Sequence, residues 1–208
     1  MTLLRVAVLA SGSGTTFQNL VERSRAGTLP AEIVALAVSK PDAYAKTRAE
    51  ALGVPCTVLA KESQRDPALL GTAIAAFLDE HEAALCAMAG FLKLWTIPQA
   101  WRGHVLNVHP ALLPAFGGKG MYGHHVHDAV LASGAKVSGC TVHFADDEYD
   151  HGQIVLQRTV PVLGDDTSEA LAARVQEAER EAYPEALALF AQGRLRIEGR
   201  RVRILPPR

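Results

Sequence analysis

The sequence predicts an α/β fold built on a mostly parallel β-sheet, and three observations support this. Short apolar runs alternate with helix-like segments over roughly the first half of the chain. These runs are continuously apolar, which is typical of parallel strands covered by helices on both faces. After about residue 136 the apolar residues alternate more and no helix separates the runs, which indicates antiparallel strands. We therefore expect a doubly wound, Rossmann-like sheet with an antiparallel β extension toward the C-terminus.

Local signals set the ends of the predicted elements. Gly27 and Gly53 end the first two helices, and Asp66 with Pro67 begins the third with an N-cap and a first-turn proline. Thr167 begins the long last helix, and the chain ends in a hairpin that turns near Gly199. The predicted strands cover residues 4–10, 32–39, 56–60, 84–90, 104–109, 136–145 and 153–162, and the predicted helices cover 15–27, 43–53, 66–82 and 167–193.

Composition excludes several classes of protein. The chain has 208 residues, 49% of them hydrophobic and 21% charged, which is ordinary for a globular domain. A net charge of −1 argues against a nucleic-acid binder with a broad basic face. No run approaches the ~18 apolar residues of a membrane span, and the N-terminal run is interpreted as a buried strand rather than a signal peptide. Cys56, Cys86 and Cys140 show no paired spacing, so we expect reduced core cysteines in a cytosolic protein.

A glycine-rich loop, SGSGTTFQ at residues 11–18, follows the first strand and opens the first helix. Loops at this place hold phosphate through backbone amides and the helix N-terminus. The dinucleotide fingerprint fails because Phe17 stands where its third glycine belongs, and no acidic residue ends the second strand. The loop therefore suits a single phosphate, with Gly12, Ser13, Gly14, Thr15 and Thr16 as candidates, while a tight turn with a threonine cap is the structural alternative.

The stretch LNVHPALLP, residues 106–114, carries the polar pair Asn107 and His109. The two alternate around Val108, so on a strand they face the same side. An amide and an imidazole on one face can both donate to a developing oxyanion. The turn at Asp150 between two later strands can bring a carboxylate beside the imidazole, which raises its pKa and orients it. The structural alternative is a buried asparagine that satisfies backbone groups and a histidine in a strand-end turn.

Three other segments have weaker signals. The motif GHHVH at residues 123–127 fits no standard zinc spacing, so we expect histidines near a helix N-terminus and no metal. The glycine-rich segment 116–123 is expected to be mobile and to act as a lid. Asp146, Asp147 and Glu148 are expected to be solvated loop charges or to shape the backbone of their loop.

Taken together, these stretches resemble a known family. Gly12-x-Gly14, GFLKL (90–94), LNVHPALLP, GCTVHF followed by Asp150, GQIVLQ (152–157) and RVQEAEREAYP (174–184) occur in order across almost the whole chain. They closely resemble the phosphoribosylglycinamide (glycinamide ribonucleotide) formyltransferases, folate-dependent enzymes of purine synthesis. The motif Asn-x-His-Pro with a downstream Asp is typical of the formyltransferase superfamily. Within that superfamily, the short length of the chain favours the phosphoribosylglycinamide formyltransferases.

The resemblance implies a reaction and its residues. The amine of glycinamide ribonucleotide attacks the formyl carbon of the co-substrate 10-formyltetrahydrofolate, and no metal takes part. Asn107 and protonated His109 stabilise the oxyanion, while Asp150 keeps His109 charged and helps to move the proton. The resemblance also assigns residues to the two substrates: Gly12, Ser13, Gly14, Thr15, Thr16, Arg65 and Glu179 to the ribonucleotide, Leu92, Lys93, Leu94, Val142, Asp146, Asp147, Glu148 and Tyr149 to the folate, and His127 to the neighbourhood of the catalytic centre.

The chain departs from the family pattern at four places. Thr16 stands where an asparagine is common, so the phosphate contact should rest more on backbone amides. The lid segment is longer and richer in glycine, and His151 follows Asp150 where Gly or Ala is more usual. Lys93 stands where the family often has arginine.

Other functions remain as alternatives. A 10-formyltetrahydrofolate hydrolase uses the same triad with water as nucleophile, although such proteins usually carry a further N-terminal regulatory domain. A methionyl-tRNA formyltransferase would need a longer, basic C-terminal domain, and a sugar-nucleotide formyltransferase fits the Glu179 helix less well. The chain lacks the fingerprint of a dinucleotide-binding oxidoreductase. A binding module without catalytic activity would not need Asn107, His109 and Asp150.

We expect one formyltransferase domain over residues 1–208, with a phosphate-binding part at 1–110 and a folate-side part at 111–208. It should act in the cytoplasm on small-molecule substrates, as a monomer or homodimer, without a nucleic-acid or membrane partner.

Overall fold

A computed structural model of the protein describes residues 3–207. The first and last positions of the predicted domain therefore lie outside the described residues. The strands are β1 (Leu4–Ala10), β2 (Ala31–Val38), β3 (Cys56–Val58), β4 (Leu85–Met88), β5 (Val105–His109), β6 (Val137–Phe144), β7 (Ile154–Pro161), β8 (Leu195–Glu198) and β9 (Arg201–Ile204). The α-helices are α1 (Thr15–Arg25), α2 (Tyr44–Ala51), α3 (Pro67–Glu80), α4 (His124–Ser133) and α5 (Ser168–Ala191).

The predicted fold class is confirmed. Seven strands form one sheet in the order β3-β2-β1-β4-β5-β6-β7, and β8 and β9 form a separate two-stranded sheet. The pairs β1–β2, β1–β4, β2–β3 and β4–β5 are parallel. The pairs β6–β7 and β8–β9 are antiparallel, as the alternation of apolar residues after about residue 136 predicts.

The chain divides into two compact units, one ending at Asn107 and the other beginning at Val108. In the first unit the strands are apolar because they are buried, and Val6 through Ala10 have no exposed surface. The Asp66 carboxylate accepts from the amides of Ala68 and Leu69 at 2.8 and 3.1 Å, and this N-cap begins α3 where the sequence predicts it.

In the second unit α5 packs on β6 and β7. The Thr167 hydroxyl accepts from the Ala170 amide at 3.2 Å and begins α5. The helix then continues through Pro184, one of its buried residues, so burial of this face outweighs the hydrogen bond that a proline cannot make. Helix α4, whose ends the sequence analysis does not define, and the short 3-10 turns at Ser63–Arg65 and Gln99–Trp101 are additions to the predicted elements.

Among the described residues no helix is long and apolar enough to cross a membrane. Cys86 and Cys140 are buried and free, as expected, whereas Cys56 is only half-buried, because β3 is the edge strand of the sheet. Burial raises the pKa of all three thiols, that of Cys140 to about 12. A thiol with a raised pKa is a poor nucleophile at neutral pH, so none of the three is a candidate catalytic cysteine.

Candidate functional site

The turn after β5 is fixed by polar side chains from β6 and β7. The Thr141 hydroxyl donates to the Ala111 carbonyl at 2.6 Å and accepts from the Leu113 amide at 3.0 Å. Gln157, which faces Thr141 across the antiparallel pair, donates to the Leu113 carbonyl and to the Thr141 hydroxyl at 3.0 and 2.9 Å. The exit of β5 is therefore held rigidly, and with it the direction of His109.

His109 and Asp150 lie together, as the sequence analysis expects. His109 Nδ1 is 3.4 Å from Asp150 Oδ1, and both side chains are nearly buried. The other ring nitrogen, Nε2, is 2.8 Å from the Phe116 carbonyl oxygen. Both nitrogens thus face acceptors, and only the imidazolium form donates to both of them at once.

Burial opposes that charged form. It lowers the pKa of His109 below its ordinary value, and the neighbouring His143 acts in the same direction. The Asp150 carboxylate and the Phe116 carbonyl raise the pKa but do not overcome burial. Asp150 thus raises the pKa of His109, as the sequence analysis expects, but desolvation is the larger effect and the net shift is downward.

Asp150 is held in an unusual backbone conformation. Its φ is +55°, in the left-handed region that few non-glycine residues adopt. The Gly118 amide donates to Asp150 Oδ2 at 2.9 Å, and His143 Nε2 is 3.7 Å from Asp150 Oδ1. Burial acts to raise the pKa of Asp150, but the hydrogen bond from His143 and the charge of His109 hold it below its usual range. Asp150 is therefore an ionised acceptor, suited to orienting an imidazole.

Two glycines let the backbone close around this carboxylate. A Cβ on Gly152 would lie 1.7 Å from the Phe144 carbonyl oxygen, so no other residue fits there. A Cβ on Gly117 would lie 2.5 Å from Leu113 Cδ2 and 3.2 Å from Asp150 Cβ. The glycine-rich segment at 116–123 thus packs directly against the candidate catalytic residues.

The loop before Asp150 is ordered by its own side chains. Asp146 Oδ1 accepts from the Glu148 amide at 3.0 Å, and Asp146 Oδ2 accepts from His151 Nδ1 at 2.7 Å. Asp146 therefore shapes the backbone of this loop. Of the other residues assigned here to the folate, Asp147 is half-buried, Glu148 and Tyr149 are exposed, and Val142 is fully buried in β6.

In the first unit, the predicted phosphate loop joins β1 to α1. Gly14 is the N-cap of α1 with φ +75°, and no side chain caps the helix, so the threonine-cap alternative is wrong. A Cβ on Gly14 would lie 2.7 Å from Ala45, whereas one on Gly12 would meet nothing within 4 Å. Arg48 Nε donates to the Ser13 carbonyl at 2.8 Å and steadies the loop. The uncapped helix start and open loop suit an anion held by backbone amides.

Phe17 explains why the dinucleotide fingerprint fails. Its side chain has no exposed surface and belongs to the core. Thr15 and Thr16 are half-buried at the start of α1.

Ser11 ties the ends of three segments together in the same unit. Its hydroxyl accepts from the Leu92 amide at 3.0 Å and from the Ser39 hydroxyl at 2.7 Å. Leu92 itself is 41% exposed, and Lys93 and Leu94 are half-buried. Arg65 is exposed at the end of a 3-10 turn.

Glu179 and His127 are the remaining candidates. Glu179 lies on α5 and acts electrostatically on Cys140, and burial raises the pKa of its carboxyl to about 7. His127 lies in the first turns of α4 and is buried, and its Nδ1 has no hydrogen-bond partner among the described residues. Burial also lowers the pKa of His127. Across residues 3–207 no group of three or more His, Cys, Asp or Glu side chains is arranged to hold a metal ion.

Four contributors to the site were not predicted from the sequence. His143 contacts Asp150 from β6, Thr141 and Gln157 fix the turn after His109, and the Phe116 carbonyl meets His109 Nε2. His143 and Thr141 sit two residues apart on one predicted strand, so the same-face rule that selected Asn107 and His109 also applies to them. The carbonyl contact leaves no signal in the sequence, because any residue supplies a carbonyl.

Comparison with known proteins agrees with the geometry. A family model described as "Formyl transferase" matches residues 4–187, and the chain belongs to this family. Within it the chain is similar to phosphoribosylglycinamide formyltransferases. It is 39% identical over 193 residues to the chloroplastic enzyme of Vigna unguiculata, covering 92% of this chain and 62% of that protein's length. It is 34% identical over 196 residues to the enzyme of Haemophilus influenzae, covering 93% of this chain and 90% of that protein.

The solved structures give the same result. The crystal structure of glycinamide ribonucleotide transformylase 1 from Symbiobacterium toebii has a TM-score of 0.91 and 40% identity to this chain. The match covers 99% of this chain and 95% of that one.

Proposed function

We propose that the protein transfers the formyl group of 10-formyltetrahydrofolate to the amine of glycinamide ribonucleotide, as in purine biosynthesis. The contact between buried His109 and Asp150, in a chain of the formyl transferase family, carries this proposal. The similarity to named phosphoribosylglycinamide formyltransferases supports the choice of substrates. Asn107 shares the strand face of His109, because the two lie two residues apart on β5.

In the proposed reaction the neutral amine attacks the formyl carbon and a tetrahedral oxyanion forms. The Asn107 amide and the His109 imidazolium donate hydrogen bonds to this oxygen. Collapse of the intermediate breaks the bond from the formyl carbon to N10 of the folate, and the proton lost by the amine ends on N10. Donors aimed at the oxyanion act on the transition state more than on the ground state, which is the requirement for a rate effect.

Asp150 would make the charged form of His109 available. Burial disfavours the imidazolium, so without the carboxylate the pKa of His109 would fall further. The low pKa of Asp150 keeps it ionised through the neutral range. The pair therefore supplies a protonated donor in a site that would otherwise exclude charge.

The glycine-rich segment would have to move during this reaction. The Phe116 carbonyl accepts the Nε2 hydrogen bond that the formyl oxygen would need, and the Gly118 amide occupies one oxygen of Asp150. We propose that this segment withdraws when the folate binds and acts as a lid over the bound substrates.

The two substrates would occupy the positions that the resemblance assigns. The open loop of Gly12, Ser13, Gly14, Thr15 and Thr16 would hold the phosphate, with Arg65 as a second contact. Glu179 would receive the glycinamide ribonucleotide end. The pterin would meet the loop Asp146–Tyr149 and the walls formed by Leu92, Lys93, Leu94 and Val142, and His127 would lie near the reacting atoms. We propose a single domain for residues 1–208 that acts in the cytoplasm as a monomer or homodimer.

Formation of tetrahydrofolate with and without glycinamide ribonucleotide tests the proposal. We expect rapid tetrahydrofolate formation that requires the ribonucleotide, with one formylated product for each tetrahydrofolate. Release of formate at the same rate without the ribonucleotide would contradict the transfer and indicate the hydrolase. Absence of turnover under both conditions would also contradict it.

A further inference from the structure

The C-terminal hairpin carries an arginine to the candidate active-site loop. Strands β8 and β9 lie beyond residues 4–187, the part that the family model matches. The base of the hairpin is closed twice, because the Leu205 amide donates to the Arg194 carbonyl at 2.8 Å and Arg194 Nε donates to the Leu205 carbonyl at 2.7 Å. The hairpin also packs on β7. Arg200, in its turn, is therefore presented by an anchored element.

Arg200 makes two contacts with a single residue. Its Nη2 donates to the His151 carbonyl at 2.6 Å, and its Nη1 lies 3.3 Å from His151 Nε2. His151 immediately follows Asp150, the candidate catalytic carboxylate. A guanidinium can address two acceptors at once because its donors form a rigid fork.

These contacts favour one tautomer of the neutral His151 ring. A guanidinium only donates, so Nε2 must be the acceptor and the ring proton is on Nδ1. That Nδ1 proton is donated to Asp146 Oδ2 at 2.7 Å, and Asp146 Oδ1 accepts from the Glu148 amide. One chain of hydrogen bonds thus runs from Arg200 through His151 and Asp146 into the loop that precedes Asp150.

Asp150 needs such external support. Its left-handed φ of +55° is unfavourable for a residue with a Cβ, so the surrounding contacts must hold it there. Its carboxylate must at the same time face His109. Fixing both the backbone and the ring of the next residue limits the rotation of Asp150 about its own backbone.

We propose that Arg200 is a positioning residue, which acts through His151 to hold Asp150 and the loop Asp146–Tyr149 in their working geometry. It touches no reacting atom itself. This inference rests on the proposed function, since it assigns the loop to the folate and Asp150 to the chemistry. Its activity test therefore needs a wild-type protein that carries out ribonucleotide-dependent transfer.

The kinetic test compares Arg200→Ala, Arg200→Lys and Arg203→Ala with the wild type. Arg203 is the matched control, since it lies on the same hairpin and its Nε is 3.6 Å from Glu198, within the hairpin. For Arg200→Ala we expect KM for 10-formyltetrahydrofolate to rise about fivefold and kcat to fall about fivefold, because a charged hydrogen bond at a partly exposed site is lost. KM for the ribonucleotide and the melting temperature should stay near wild type.

The other two variants sharpen the result. Arg200→Lys should recover part of the loss, because an ammonium can make one of the two contacts but lacks the fork. Arg203→Ala should match the wild type. If the wild type is active and Arg200→Ala has the same kcat and folate KM, the inference is overturned while the proposed function stands.

A spectroscopic test does not depend on activity. In ¹⁵N-histidine spectra of the full-length wild type near pH 8, the His151 resonance should show the Nδ1-protonated tautomer. In Arg200→Ala it should shift toward the tautomer mixture of a solvent-exposed histidine, and in Arg203→Ala it should not move. The same tautomer mixture in the wild type and in Arg200→Ala would overturn the contact on which the inference rests. Absence of formyl transfer by the wild type would count against the proposed function alone.

Discussion

The two candidate binding regions are built in opposite ways. The loop at residues 12–16 comes from one contiguous stretch and offers backbone amides at an uncapped helix start. The centre at His109 and Asp150 is built from side chains and amides of four separate segments, which also include Gly118 and His143. The loop should therefore tolerate side-chain changes but not a blocked backbone. The centre depends on side chains whose positions are set by residues distant in sequence.

The largest effect on stability should come from the backbone approach beneath Asp150. We expect Gly152→Ala to lower the free energy of unfolding by about 3 kcal/mol, because the new Cβ would lie 1.7 Å from the Phe144 carbonyl oxygen. Denaturant unfolding measures this. Gly164→Ala is the control, since a Cβ there meets nothing within 4 Å, and its change should stay within about 0.5 kcal/mol. Equal losses in the two variants would show that the centre does not depend on this close approach.

A smaller, pH-dependent effect should follow from Glu179. Burial raises its pKa from 4.5 to about 7, so between these values the folded state holds a proton that the unfolded state has lost. The stability of the wild type should therefore fall as the pH rises through this window. Glu179→Gln removes that loss and should be more stable than the wild type at pH 8 by about 3 kcal/mol, with little difference near pH 4.

Thermal or denaturant unfolding at several pH values measures this difference. Glu177→Gln, an exposed change two residues away on α5, should show no such dependence. If Glu179→Gln has the same stability as the wild type at every pH, the carboxyl of Glu179 is in water and the prediction is wrong. If Glu179 also receives the ribonucleotide, the same variant should bind it more weakly.

The smallest effect on stability should come from Gly12, and it tests the loop as a ligand site. A Cβ at Gly12 meets nothing in the protein, so Gly12→Ala should change the free energy of unfolding by less than about 0.5 kcal/mol. It should nevertheless raise KM for the ribonucleotide several-fold, because the added methyl group blocks approach to the amides. Gly14→Ala should instead destabilise the fold, given its φ of +75° and the 2.7 Å approach to Ala45. Unchanged ribonucleotide KM in Gly12→Ala would argue against a phosphate in this loop.

The contrast between the two regions also explains what the sequence could predict. Strands, caps and the glycine loop depend on neighbouring residues. The cap at Asp66 with Pro67 and the turn at Gly14 can therefore be predicted from the local sequence. The contact of His109 with Asp150 was expected from the turn between two later strands and from the family resemblance, not from neighbouring residues alone. The sequence also predicts that Asp150 raises the pKa of His109, but not that burial lowers it by more, since desolvation depends on packing from the whole unit.

Other parts of the site could not be predicted from residue types. The Phe116 carbonyl and the Gly118 amide belong to the backbone, and every residue carries such groups. Arg200 reaches His151 across 49 positions of sequence, and no periodic pattern signals a contact of that kind. Such contacts become visible only when the fold brings the segments together.

The single-turnover rate of formyl transfer by Asp150→Asn, beside the wild type, tests the central claim most directly. The substitution keeps the size of the side chain and removes the charge that favours the His109 imidazolium. With saturating substrates at neutral pH, we predict that the rate falls by a factor of about 100 or more, a magnitude typical of losing one oxyanion donor. Asp165→Asn, an exposed acid, should keep the wild-type rate. A rate for Asp150→Asn within about threefold of the wild type would contradict the claim that Asp150 acts through His109 on the developing oxyanion.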